Sequence, residues 1–134
     1  MITRPQKIIL LKLLSVISVV RGYAIVLMIA AQLLTAAFIL APQAPLNEVF
    51  LSGPLWLVIL ASSLSIAGGY IINNFYDQEK DLINRPRRSN LDRMLRQQTK
   101  LSGYFILNFA AVLAASAVSF SAALFFSGFI FLMW

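Results

Sequence analysis

The composition is that of a membrane protein rather than of a soluble domain. The 134 residues are 60% hydrophobic and 12% charged, and 11 Lys and Arg against 5 acids leave a net charge of +6. Soluble domains carry about 25% charged residues. The chain has no cysteine and no histidine, which excludes disulfides, thiolate nucleophiles, Cys/His zinc sites and histidine general bases. Because the basic residues stand beside apolar segments without interleaved aromatics, they indicate a membrane and no nucleic-acid partner.

The first apolar segments follow a basic start. Residues 1–22 carry basic residues and no acid, and Lys12 interrupts their apolar run. This pattern predicts an interfacial helix or the lead-in to the first span. A secretory signal peptide also has a basic start, but residues 23–41 exceed the usual apolar length of about 7–15 residues. At 1.5 Å per residue they reach about 28 Å, so they predict the first transmembrane helix.

The second predicted span, residues 55–72, carries small side chains at a helical interval. Ala61, Ser65 and Gly69 recur every four residues and therefore share one face of a helix. In membranes such a face lets a second helix approach closely. The pattern predicts that this span belongs to a helix bundle.

The two loops beside this span differ in charge. The loop before it contains Glu48 and no basic residue, whereas the loop 73–100 is rich in Lys and Arg. By the positive-inside rule, the N-terminus and the loop 73–100 are expected in the cytoplasm. The expected location is a bacterial inner membrane, with several passes of the chain.

No charged residue lies between Leu101 and Trp134. We predict a third span over 101–120, a weak break around residues 119–121, and a partial fourth span over 122–134. The last segment is too short to cross about 30 Å of hydrocarbon, so truncation of a longer chain is expected, with a re-entrant or interfacial ending as the alternative. The predicted fold is an all-α polytopic transmembrane helix bundle of about three complete spans and a truncated fourth.

The stretch 70–86, YIINNFYDQEKDLINRP, begins at the end of the second predicted span. Within it Asn73, Asp77 and Asp81 stand four residues apart. On a helix this step turns about 40°, so the three side chains would line one face. Two carboxylates and an amide oxygen suit Mg²⁺, which takes oxygen ligands and is often shared with substrate phosphates. A solvated loop beside a span has a similar composition, and spacing alone leaves both interpretations open.

Basic residues follow this acidic pattern closely. They are Lys80, Arg85, Arg87 and Arg88. Lysine and arginine hold phosphate oxygens, and a helix end at the membrane interface suits a lipid diphosphate whose tail lies in the bilayer. Residues 91–100 are predicted either as a short surface helix on anionic headgroups or as a plain solvated loop.

The run GGYIINNFYDQEKDLINRP resembles the first aspartate-rich motif of the UbiA-type intramembrane prenyltransferases. In that family the motif follows the second transmembrane helix on the cytoplasmic side. The pattern Asn-x-x-x-Asp-x-x-x-Asp, then Asn-Arg-Pro at 84–86, matches in order. The chain differs at Asn74, where many members have Asp, and at 87–90, where RRSN replaces a further Pro and Gly.

The resemblance implies transfer of an isoprenyl group from a polyprenyl diphosphate to an aromatic or other lipophilic acceptor, with Mg²⁺ as cofactor. It implies that Asp77 and Asp81 are the catalytic metal-binding residues and that Asn73 completes their face. The implied diphosphate-binding residues are Lys80, Asn84, Arg85 and Arg21, the last of which serves equally as a topology charge. Tyr70, Phe75 and Tyr76 are candidates for lining the pocket of the allylic cation, although interfacial aromatics also act as anchors.

Two further expectations accompany this resemblance. Complete members of the family have more spans and a second aspartate-rich motif, which implies that residues 1–134 form the N-terminal part of one transmembrane domain and are inactive alone. The alternative from another class is a small non-catalytic membrane anchor or assembly subunit whose polybasic loop binds anionic lipid. Within the enzyme class, a lipid-ether synthase with a glycerol phosphate acceptor also remains open.

Overall fold

The computed structural model describes residues 4–77, 83 and 96–133, and all regular structure within them is helical. The elements in chain order are α1 Arg4–Val19, α2 Gly22–Thr35, a π-helical turn Ala36–Leu40, α3 Leu46–Phe50, α4 Gly53–Tyr76, α5 Gln97–Ser116 and α6 Phe120–Met133. The predicted all-α class is confirmed for this part of the chain.

Two helical segments are long and apolar enough to cross a membrane, Gly22–Leu40 and Gly53–Tyr76. They coincide with the first two predicted spans to within a few residues. The apolar stretch of α1 and the whole of α6 are shorter. Helix α5 is not one of the two, because its first turn, QQTK, is polar. The third span and the partial fourth therefore stay predictions.

The N-terminal segment is a helix of its own. Helix α1 ends at Val19, and α2 begins at Gly22. Between them Arg21 has φ 49 and ψ 57, the left-handed conformation, and is the one non-glycine residue with positive φ in the described ranges. Because a left-handed residue cannot continue a right-handed helix, residues 1–22 do not run straight into the first span.

Helix α4 is the centre of the bundle, and its small residues face its neighbours. Ala61, Ser65 and Gly69 are buried. Ala61 packs with Ala115 of α5 and Phe126 of α6. The predicted close approach of another helix to this face is confirmed, and the partner along most of α4 is α5.

A polar pair joins α2 to the same central helix. The Gln32 amide nitrogen donates to the Ser62 hydroxyl over 2.9 Å. Where hydrocarbon surrounds a bundle, such a bond has few competing partners and holds two helices in register. Helix α2 is thereby tied to the middle of α4.

The loop predicted over residues 73–100 is too long at both ends. Helix α4 continues to Tyr76, and α5 already begins at Gln97. The predicted surface helix over 91–100 is also wrong at its end, because residues 97–100 form the first turn of α5; residues 91–95 lie outside the described ranges. A helix can extend past the point where its sequence turns polar, because water satisfies the polar side chains there without breaking backbone hydrogen bonds.

The break predicted near residues 119–121 is present slightly earlier. Helix α5 ends at Ser116, four residues before the predicted end of the third span, and α6 begins at Phe120. The Ser119 hydroxyl accepts a hydrogen bond from the Ala122 backbone N–H over 3.1 Å. Serine at this position satisfies an N–H group that the first turn of a helix leaves without a partner, which explains why α6 starts here rather than at residue 122.

Candidate functional site

A cavity of about 520 Å³ lies beside the last three turns of α4. The lining residues are Ile66, Gly69, Tyr70, Ile72, Asn73 and Tyr76 from α4 and Met133 from α6. Most of the α4 members stand three or four residues apart, the interval at which side chains share a helix face. Three of the predicted site residues, Tyr70, Asn73 and Tyr76, therefore border one space.

Asn73 and Asp77 stand at the cytoplasmic-side end predicted for this span. The Asp77 backbone N–H donates to the Asn73 carbonyl over 2.9 Å, and α4 ends one residue before Asp77. The two side chains are thus one helical turn apart, as the spacing predicts. Helix α4 ends at Tyr76 with Asp77 as its C-cap residue, and the prediction that Asp81 continues this face concerns a residue that the structure does not describe. Asp81 itself lies outside the described residues, as do Lys80, Asn84 and Arg85.

The end of a helix is electrostatically suited to a cation. The backbone dipoles of α4 give this end of the helix a negative partial charge. Asp77 stands at that end and contributes a side-chain carboxyl group. A divalent cation placed here would meet helix carbonyls, a carboxylate and the Asn73 amide.

The donor set fits Mg²⁺. Asn73 and Asp77 together supply an amide oxygen and a carboxylate, and Mg²⁺ is commonly held by one or two carboxylates while water and phosphate complete its six positions. Within the described ranges, no three His, Cys, Asp or Glu side chains come together as a metal-binding group. A second carboxylate at this site would have to come from outside those ranges, and Asp81 is the residue predicted to supply it.

Arg21 reaches this region from the junction of α1 and α2. Its guanidinium carbon lies 5.1 Å from the centroid of the Tyr70 ring, which is a cation–π distance. Tyr70 also lines the cavity, so the contact brings a positive charge to the cavity wall. The left-handed backbone of Arg21 costs about 1–2 kcal/mol, and strain of this kind is concentrated at functional sites.

The three predicted pocket aromatics separate into two groups. Tyr70 and Tyr76 line the cavity. Phe75 instead packs against a buried cluster that contains Val19 and Tyr104, with its ring edge-to-face against Tyr76 at 5.4 Å. Because consecutive helix residues point about 100° apart, Phe75 faces the bundle while Tyr76 faces the cavity. The prediction that Phe75 lines the pocket is wrong.

Sequence reasoning missed one residue at this end of α4. It assigned Lys100 to a solvated basic loop, but Lys100 is only 2% exposed, and its ammonium group donates to the Asn74 side-chain oxygen over 2.6 Å. Lys100 begins a series of buried residues on α5 that continues through Tyr104 and Asn108 at four-residue intervals. This spacing was the available signal, since it places Lys100 on the inward face of a helix that starts at Gln97.

A scan against protein-family models and searches of curated proteins and of solved structures each found no match to this chain. The resemblance to the UbiA-type prenyltransferases accordingly rests on the residues of the motif itself.

Proposed function

We propose that this chain belongs to an integral membrane prenyltransferase of the UbiA type and carries the family's first aspartate-rich site. The proposed donor is a polyprenyl diphosphate, the acceptor an aromatic or other lipophilic molecule, and the metal Mg²⁺. The observation that carries the proposal is that Tyr70, Asn73 and Tyr76 line one cavity at the end of an apolar helix of membrane-spanning length.

Each part of this site suits one part of a lipid diphosphate. Asn73 and Asp77 offer oxygen ligands at the negative end of α4, where a cation is favoured. Arg21 contacts the ring of Tyr70, which lines the cavity, and its guanidinium is a hydrogen-bond donor of the kind that binds phosphate oxygens. Ile66 and Gly69 extend the lining along α4, away from the Asn73 end, where an isoprenyl tail would meet apolar side chains.

The reaction breaks the bond between the first prenyl carbon and the diphosphate oxygen, and the electron pair leaves with the diphosphate. Mg²⁺ would neutralise part of the charge that develops there. In the proposed site Asn73 and Asp77 hold that metal, and Arg21 donates hydrogen bonds to the leaving oxygens. The faces of the Tyr70 and Tyr76 rings stabilise the allylic cation until the acceptor forms the new bond and loses a proton.

The test compares the two acids that the structure describes. The complete 134-residue chain is reconstituted in lipid nanodiscs, and binding of farnesyl diphosphate is measured with and without Mg²⁺. Asp77→Asn is expected to weaken Mg²⁺-dependent binding at least about tenfold, the lower end of the effect of losing a metal-site residue. Glu48→Gln is the matched control, because Glu48 borders a different cavity beside α3. This variant should bind farnesyl diphosphate as tightly as the parent.

Transfer is then assayed with a panel of aromatic, quinol and glycerol phosphate acceptors. A prenylated product whose formation depends on Mg²⁺ and on Asp77 would support the enzyme and would contradict the expectation that residues 1–134 are inactive alone. Binding to anionic vesicles that ignores both Mg²⁺ and the Asp77→Asn change, with no saturable binding of farnesyl diphosphate, would contradict the proposal and favour the membrane anchor.

A further inference from the structure

Lys100 is buried at a point where a positive charge is doubly unfavourable. Its side chain is one of the largest fully buried ones in the described ranges, and burial removes the ammonium group from water. It also lies four residues into α5, near the positive end of that helix's dipole. A charged residue kept in such a position in a membrane protein is a candidate for function, with its contact partner as the guide.

The partner of Lys100 is the last turn of α4. The ammonium group donates to the Asn74 side-chain oxygen over 2.6 Å, and the carbonyl end of α4 favours a nearby cation. The bond connects residue 74 to residue 100, across the stretch of sequence that contains the rest of the aspartate-rich motif. It therefore ties together the two helix ends that flank that motif.

Asn74 and Asn73 have different surroundings although they are neighbours. Asn74 is half-buried and faces α5, whereas Asn73 is exposed and lines the cavity. Since consecutive residues on a helix are rotated by about 100°, holding Asn74 against α5 sets the direction in which Asn73 points. Asp77, one turn beyond Asn73, is bonded through its N–H to the Asn73 carbonyl and depends on the same turn for its position.

We propose that Lys100 is a positioning residue for the metal and diphosphate site: its hydrogen bond to Asn74 holds the last turn of α4 so that Asn73 and Asp77 present their oxygens to one divalent cation. This inference rests on the proposed function and adds to it a residue outside the motif. The buried lysine acts through α4 and does not touch the substrate.

A double-mutant cycle on the complete chain tests this role. Lys100→Met keeps a side chain of similar length without the charge, and Asn74→Leu removes the acceptor. The measured quantity is the Mg²⁺ concentration that gives half-maximal binding of farnesyl diphosphate in nanodiscs. Each single variant is expected to raise it about tenfold, as the loss of a residue supporting a metal ligand typically does. The double variant is expected to need no more Mg²⁺ than either single variant, because each single change already removes the same hydrogen bond.

Matched variants separate positioning from general damage. Gln98→Met makes a similar change on the exposed side of the same helical turn and should leave the Mg²⁺ requirement unchanged. Asn74→Asp keeps an oxygen acceptor for Lys100 and should stay within about threefold of the parent. If Lys100→Met fails to fold, Asn74→Leu tests the same bond from the α4 side.

The outcomes distinguish this inference from the function on which it rests. A parent chain without Mg²⁺-dependent binding would overturn both. A parent that binds, together with single variants that need no more Mg²⁺ than the parent, would overturn the role of Lys100 alone. If the increases in the Mg²⁺ requirement of the two single variants add up in the double variant, Lys100 and Asn74 act separately. That result would also contradict the proposed role of Lys100.

Discussion

Gly68 lies where α4 and α5 approach most tightly, and replacing it with alanine is expected to destabilise the bundle. A Cβ at this position would lie 3.0, 3.1 and 3.2 Å from the Nδ2, Oδ1 and Cγ atoms of Asn108. Ordinary contacts between such atoms are about 3.5–4.0 Å, so the Asn108 amide would have to move by about 0.5 Å. Asn108 is buried between the helices but also borders a cavity, so part of this movement can be accommodated and the expected loss is moderate.

The expected loss of stability in Gly68→Ala follows from two opposing effects. Overpacking of a tight interior costs about 1–3 kcal/mol, while alanine is favoured over glycine in a helix by about 1 kcal/mol. The net loss for Gly68→Ala should therefore be about 1 kcal/mol, or about a fivefold fall in the ratio of folded to unfolded protein. Gly128→Ala is the matched control, because its Cβ would meet nothing within 4 Å and the helix preference should make it neutral or stabilising.

The assay is reversible unfolding of the chain in mixed micelles by SDS, followed by tryptophan fluorescence. Adding Asn108→Ala to Gly68→Ala should restore most of the stability that Gly68→Ala loses, because the new methyl group then meets no amide. The free-energy changes of the two substitutions should therefore differ from additivity by about 1 kcal/mol. Among the residues that the structure describes, the buried Asn108 Nδ2 atom has no hydrogen-bond partner, so removing this atom breaks no bond there. If Gly68→Ala proved as stable as Gly128→Ala, the close α4–α5 contact at this position would be refuted.

Three further expectations concern the site and the orientation of the chain. Arg21→Gly should leave the free energy of unfolding within about 1 kcal/mol of the parent, because relief of the left-handed strain offsets the lost contact with Tyr70. The same change should weaken farnesyl diphosphate binding about tenfold. Unchanged binding in nanodiscs would remove Arg21 from the site. A cysteine at Leu46 should react with an impermeant thiol reagent added outside intact cells, and a cysteine at Ser89 should not; the reverse labelling would overturn the proposed orientation. In the complete protein, Asp81→Ala should lower prenyl transfer by a factor of about 10²–10³ through lost charge stabilisation, and a product yield within about threefold of the parent would exclude Asp81 from the site.

Hydrophobic length made the first two long helices predictable, because the number of apolar residues needed to cross hydrocarbon is set by helix geometry. The small-residue face of α4 was predictable for a similar reason, since Ala61, Ser65 and Gly69 repeat at a helical interval. The ends of the helices were harder to predict from the sequence. The change to polar residues at Asn73 marks a change of surroundings, but α4 continues for another turn, because hydrogen bonds along a backbone do not depend on the polarity of the side chains.

Other features depend on contacts that one sequence does not display. The left-handed break between α1 and α2 falls on Arg21 rather than on the adjacent glycine, the residue type that adopts this conformation most readily, and the Arg21 guanidinium lies over Tyr70. The π-helical turn Ala36–Leu40 has no marker in its residue types. Residues 91–100 were predicted as a surface helix or a solvated loop, but Lys100 at the end of that segment is buried, because the start of α5 decides which way its side chain points.

The polar face of α5 has a consequence for how the chain is inserted into a bilayer during synthesis. Taken alone, α5 opens with a polar turn and buries Lys100 and Asn108, and both residues would oppose its partition into lipid as a single helix. Against α4 the Lys100 ammonium group meets Asn74 and the Asn108 amide packs on Gly68. If α5 is the predicted third span, it should therefore leave the translocation channel together with α4 as a preassembled hairpin, because α4 is long and apolar enough to insert first.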